Sequence, residues 1–165
     1  MMLASCCKKI NSTTSGTGDP AATPVSLLGD HSFEAGLYLK GDVSGAPSVG
    51  EVLYPFGKKS NKPTWQLAEW ASKYLLHQSD LVEKDGVKLY ENAGKLVSFE
   101  REDNTTRIRM DVKASAEYDH PRKSGEGWPH LLIEQEFAEK PFLKNMDQLL
   151  LNFEGRLVEC VSKMP

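Results

Sequence analysis

A chain of 165 residues has the size of a single domain. With 39% hydrophobic and 26% charged residues it suits a folded unit rather than a disordered one. Its net charge of −3 argues against general nucleic-acid affinity while leaving room for a local basic patch. No run of about 18 apolar residues is present to cross a membrane. The three cysteines, two of them adjacent, neither form a disulfide scaffold nor sit at zinc-binding spacing, so no metal and no cofactor is expected.

Residues 1–24 read as an export signal and tether. Leu3-Ala4-Ser5-Cys6 places an apolar residue and two small residues before a cysteine. Small side chains there let a signal peptidase approach the scissile bond. The pattern resembles the lipobox of bacterial lipoproteins. That resemblance implies lipidation at Cys6, attachment to a membrane through that anchor, and a place in the cell envelope, periplasmic or surface-exposed. A chance match is the alternative. Most of the apolar stretch of a signal peptide is missing before Cys6, so the sequence is expected to begin inside its signal. Asn11 to Pro24 is rich in Ser, Thr, Gly and Pro and reads as a flexible linker.

Residues 25–165 read as one β-sandwich domain. From Ser32 to Lys40, Phe33, Ala35, Leu37 and Leu39 alternate with polar neighbours, the period of a half-buried strand. A turn-rich loop from Gly41 to Gly50 leads to a short strand from Glu51 to Phe56. Trp65 to Leu76 is compatible with a helical stripe or a strand, and the all-β surroundings favour strand. Asp85-Gly86 marks a hairpin turn before Val87 to Tyr90. Leu96 to Arg101 and Thr105 to Ala116 alternate as a hairpin with one wet face. His130 to Phe137, Leu149 to Phe153 and Arg156 to Val161 are three further expected strands. Together these predict an all-β, antiparallel β-sandwich of jelly-roll type. A strand running so close to Pro165 predicts that the domain continues beyond it, since an unpaired edge there invites aggregation.

Candidate chemistry concentrates between Tyr118 and Glu136. Tyr118, His120, Arg122, Trp128 and His130 bring aromatic, imidazole and cationic groups into and beside one polar loop, a usual place for binding. Trp128, between Gly127 and Pro129, is the tryptophan expected to be exposed and to stack on a sugar ring. Trp65 and Trp70 are better core candidates. Glu134 and Glu136, two apart on a strand, share a face with Cα atoms roughly 6.7 Å apart. That separation is in the range used by paired glycosidase carboxylates. Ile133-Glu134-Gln135-Glu136-Phe137 is loosely similar to the carboxylate strand of laminarinase-like glucanases, although that family carries aspartate between its glutamates. The resemblance implies a catalytic pair. The other reading is a solvated face, for which Gln135 is an awkward inward residue. His120 and Tyr118 are alternatives as proton-transfer groups of a polysaccharide lyase. Arg107, Arg109 and Lys113 read as a solvated face with ion pairs. No phosphate-loop, dinucleotide, nucleophile-elbow or H-E-x-x-H pattern occurs.

Lipobox, tether and β pattern together resemble secreted Bacteroidota lipoproteins that handle polysaccharides. The implied function is carbohydrate binding at the envelope, with a polysaccharide or oligosaccharide partner and no nucleic acid. A hydrolase or lyase of the same fold, and a structural envelope domain that mediates protein contacts, are the alternatives.

Overall fold

Short alternating strands and tight turns build two four-stranded sheets. The computed structural model describes residues 26–41, 48–103, 105–137 and 154–161. In chain order the elements are β1 (Leu37–Gly41), β2 (Ser48–Leu53), β3 (Trp65–Glu69), a 3-10 turn (Gln78–Asp80), β4 (Leu81–Lys84), β5 (Val87–Glu91), β6 (Lys95–Glu102), β7 (Thr105–Val112), a short α1 (Ala114–Glu117) and β8 (Leu132–Gln135).

The first sheet has the order β2-β1-β3-β8 and the second the order β4-β5-β6-β7. All pairings are antiparallel except β1 with β3, where Leu37 lies beside Trp65 and Gly41 beside Glu69. The expected all-β sandwich is what forms. Its connections cross between sheets from β3 to β4 and from β7 to β8, while β4 to β7 run as a plain meander.

One apolar core joins the sheets. Leu37, Leu39, Leu53 and Leu67 come from the first, Tyr90, Val97 and Phe99 from the second, Phe33 from the turn that precedes β1, and Leu76 closes one end. Phe99 is the centre of an aromatic group. Its ring centroid lies 5.7 Å from Phe33, 6.3 Å from Phe56 and 6.3 Å from Tyr90. Such tilted and edge-on contacts suit aromatic quadrupoles.

Several boundaries differ from those expected, each for a local reason. The strand expected from Ser32 begins at Leu37, because Phe33 (φ 57°) to Gly36 forms a turn closed by the Gly36 N–H on the Phe33 carbonyl at 3.1 Å. Gly36 is required there: its φ is +89°, and a Cβ would lie 2.5 Å from the Leu53 carbonyl oxygen. Trp65 to Glu69 is strand, as favoured, and the chain then breaks at Ala71 (φ 54°). β7 stops at Val112, and Ala114–Glu117 is helical rather than strand. Asp85 and Gly86, with φ of 53° and 80°, form the expected tight turn.

The strand expected from Arg156 to Val161 is not formed. Residues 154–161 have no regular structure and are exposed, Leu157 by 80%. A short apolar run becomes a strand only where another strand accepts its backbone groups, and no described residue does so here. The strand expected from Leu149 to Phe153 lies outside the described residues, as do the signal, the tether and Cys6.

Candidate functional site

The end of the sandwich reached by β3 carries a two-layer assembly. Its lower layer is a buried ionic network. Along β3, Trp65, Leu67 and Glu69 alternate inward, so Glu69 reaches the interior and is only 1% exposed. Lys95, the first residue of β6, is fully buried opposite it, with Nζ 3.3 Å from Glu69 Oε1. The Lys95 ammonium also donates to Ser72 Oγ and, at 2.6 Å, to the Tyr74 carbonyl. Its three donors are thus all engaged. The Leu76 N–H donates to both oxygens of Glu69, at 3.1 and 3.3 Å. Burial pushes the Glu69 carboxyl above its ordinary range, opposed by the Lys95 charge and the Leu76 N–H.

A second buried carboxylate extends the network. Glu117, at the end of α1, accepts the Ser72 hydroxyl and, at 2.7 Å, the Lys73 N–H. The Lys73 ammonium donates to the Glu117 carbonyl. The corner from Trp70 to Leu76 is therefore tied at once to β3, β6 and α1. Sequence reading missed this network entirely. Glu69, Lys95 and Glu117 are separated along the chain and each looks like an ordinary surface charge; Glu69 alone offered a hint, by falling on the inward period of β3.

The upper layer is the loop from Tyr118 to His130, docked on that corner. Gly127 approaches Ala71 so closely that a Cβ on it would lie 2.6 Å from the Ala71 Cβ. The His130 N–H donates to the Trp70 carbonyl at 2.9 Å, and the Tyr118 hydroxyl donates to the Gly127 carbonyl. The Lys73 ammonium lies 5.6 Å from the centre of the Tyr118 ring.

Glu126 organises the loop. Its carboxylate accepts the Lys123 N–H at 2.6 Å and faces His120 Nε2 at 3.0 Å. On the other side of the imidazole, Nδ1 lies 2.6 Å from Asp119 Oδ1. Hydrogen bonding to Glu126 and then to Asp119 raises the His120 pKa above its ordinary 6.5. In return, Glu126 is lowered by the Lys123 N–H and then by His120, and Asp119 is lowered chiefly by His120. Arg122 Nε donates to the Glu126 carbonyl at 2.9 Å, and its guanidinium lies 4.5 Å from the centre of the Trp128 indole. Trp128 is 60% exposed.

The structure thus gathers Tyr118, His120, Arg122, Trp128 and His130 at one end of the molecule. His130 turns partly inward, edge-on to Trp70 with centroids 5.9 Å apart, and its buried Nδ1 makes no hydrogen bond among the described residues. Glu134 and Glu136 are elsewhere. Glu134 lies across from Gln66 on the outer face of the first sheet, 3.8 Å from Lys40 Nζ, and Glu136 is exposed beyond the end of β8. The inward Gln135 is fully accounted for: Oε1 accepts the Gly29 N–H at 2.9 Å, and Nε2 donates to the Asp30 carbonyl at 3.0 Å and to Thr64 Oγ1 at 3.1 Å. Trp65 is half-buried and stacked on Phe33 at 4.6 Å. Arg107, Arg109 and Lys113 pair with Glu102, Asp111 and Glu91. Among the described residues no cluster of three His, Cys, Asp or Glu side chains could hold a metal ion. Comparison with known proteins found no matching family model, no similar curated protein and no similar solved structure.

Proposed function

We propose that this protein is a carbohydrate-binding β-sandwich of the bacterial cell envelope, that the Tyr118–His130 loop is its sugar-binding end, and that Cys6 carries the lipid anchor. The observation that carries the reading is Trp128, a large indole left 60% exposed on a loop whose every turn is fastened. An exposed tryptophan on a rigid support offers a flat apolar surface at little entropic cost on binding. Sugar rings present apolar C–H faces of that size, and Arg122 stands over the indole, its guanidinium able to meet hydroxyl groups.

Binding is preferred to catalysis, by hydrolysis or by elimination, on two counts. Glu134 is engaged with Lys40 on an outer sheet face, not beside Trp128. Both His120 nitrogens face carboxylates, which leaves neither free to abstract a substrate proton.

A glycan array probed with the full chain, followed by titration of each hit by tryptophan fluorescence, tests the proposal. Trp128→Ala is expected to weaken the best ligand at least tenfold, the loss of one stacking contact of about 1.4 kcal/mol, and to leave the far-UV circular dichroism unchanged. An array with no hit, or a hit that Trp128→Ala leaves intact, refutes it. Release of new reducing ends from a bound polysaccharide would favour the enzyme instead.

A further inference from the structure

The opposite end of the sandwich holds a feature that the sugar-binding proposal does not use. After β2 the chain turns at Tyr54–Gly57 and passes through Lys58, Lys59 and Lys62 before entering β3 at Trp65. Beside this turn is an open concavity of about 640 Å³, lined in part by Phe56, Lys58, Gln78, Lys88 and Arg101. No carboxylate is among its lining residues. In a chain with a net charge of −3, this is a concentration of positive charge.

The lining groups are donors or apolar. Arg101 lies over Phe56, the centre of its guanidinium 3.7 Å from the ring centre, and Phe56 is backed by Phe99. The Gln78 amide is oriented by its oxygen, which accepts the Tyr54 N–H at 2.6 Å and the Tyr90 hydroxyl at 3.2 Å. Its NH2 group makes no hydrogen bond among the described residues, which leaves a donor for a ligand. Lys58 makes no ion pair among them. Lys88 and Arg101 do, with Glu83 and Glu34, but both carboxylates are more than 45% exposed, at 58% and 50%. Such solvent-exposed pairs are worth about 1 kcal/mol or less, so an incoming anion can exchange with them. Asp80, close by in sequence to Gln78, is turned to the His77 N–H at 2.8 Å.

We infer that this concavity binds the oxyanion group of a ligand, a carboxylate, sulfate or phosphate, through Lys58, Lys88, Arg101 and the Gln78 amide. A basin lined by one sign of charge concentrates counter-ions of the other. The Arg101–Phe56 pair supplies a planar cation with two edge donors, suited to a planar or tetrahedral oxyanion. This site is independent of Trp128, and either can fail without the other.

Calorimetric titration of the full chain with polygalacturonate, dextran sulfate, inorganic phosphate and uncharged dextran tests it at low salt and at high salt. At least one anionic probe is expected to bind at low salt and to weaken as salt rises, and which one binds separates the carboxylate, sulfate and free-phosphate sources. Lys58→Glu, on an exposed loop and so without consequence for folding, is expected to weaken that probe about tenfold or more. Glu83→Gln, which releases Lys88, is expected to tighten it. Trp128→Ala is expected to leave it unchanged. Absence of binding by all three anionic probes at low salt, or affinities that neither Lys58→Glu nor Glu83→Gln moves, overturns the inference. Equal binding of uncharged dextran with the same Lys58 dependence overturns it too.

Discussion

Lys95 shows how far a single side chain can depart from what its type suggests. A lysine at the start of a strand reads as solvated, yet this one is fully buried and holds Glu69, Ser72 and Tyr74 together. Two charges taken out of water cost several kcal/mol each, and the pair is stable only while both members and their hydrogen bonds are present. Lys95→Met is therefore expected to lower the unfolding free energy by about 3–5 kcal/mol in urea titrations. Adding Glu69→Gln should recover part of that loss, because the amide oxygen can still accept the Leu76 N–H while the unpaired charge is gone. A double variant as unstable as the sum of two independent losses would contradict this account. Apart from the inward phase of Glu69 on β3, none of it was visible in the sequence, since the partners of Lys95 are distant residues. Gln135 is the converse case. Its inward position was read correctly from strand alternation, but not its purpose, which lies in three hydrogen bonds to residues about seventy to a hundred positions away.

At the scale of an element, the Tyr118–His130 loop is held by charge that depends on pH. His120 has a folded pKa raised above 6.5, so its contribution is complete below that value and disappears as pH rises through the raised one. Glu126 and Asp119 have folded values lowered from 4.5 and 3.8, so theirs is present above those values and disappears as pH falls through the lowered ones. The loop should be held most firmly between about pH 4.5 and 6.5. In proton NMR, the His120 ring resonances are expected to titrate with a midpoint above 6.5 in the native chain and to fall back toward that value in Glu126→Gln. A midpoint at or below 6.5 in the native chain would show that the two carboxylates do not hold the imidazolium. The loop was legible as a cluster of chemically capable residues. Its internal wiring was not, because Glu126 looked like one more loop carboxylate. Among strands, period-two alternation found those with a wet face. It failed at Arg156–Val161, where apolar residues fall on both faces and no described residue pairs with the backbone.

For the molecule as a whole, one core serves both sheets and both ends. Phe99 touches Phe33, Phe56 and Tyr90 at once, which joins the first sheet, the basic concavity and the second sheet through one ring. Phe99→Ala is expected to cost about 3–5 kcal/mol and to shift thermal unfolding as a single transition. Two separated transitions would mean that the sheets are independent units. The two-sheet class was readable from strand spacing, because alternation reports burial on one face. The strand order was not, because alternation is silent about which neighbour lies alongside.

That order has a temporal side. The meander joins β4, β5, β6 and β7 through neighbours in the chain. The other sheet must bring Leu37 beside Trp65 and then Trp65 beside Gln135. Closing the longer loops costs chain entropy before any contact rewards it. During synthesis the hairpins can form as soon as they emerge, whereas β3 waits with an open edge for β8, the last strand among the described residues. Glu117, too, arrives after Lys95, so the Ser72 hydroxyl and the Lys73 N–H spend that interval without their carboxylate partner. The interval before β8 docks is thus the stage at which the nascent chain is most open to pairing with a stranger.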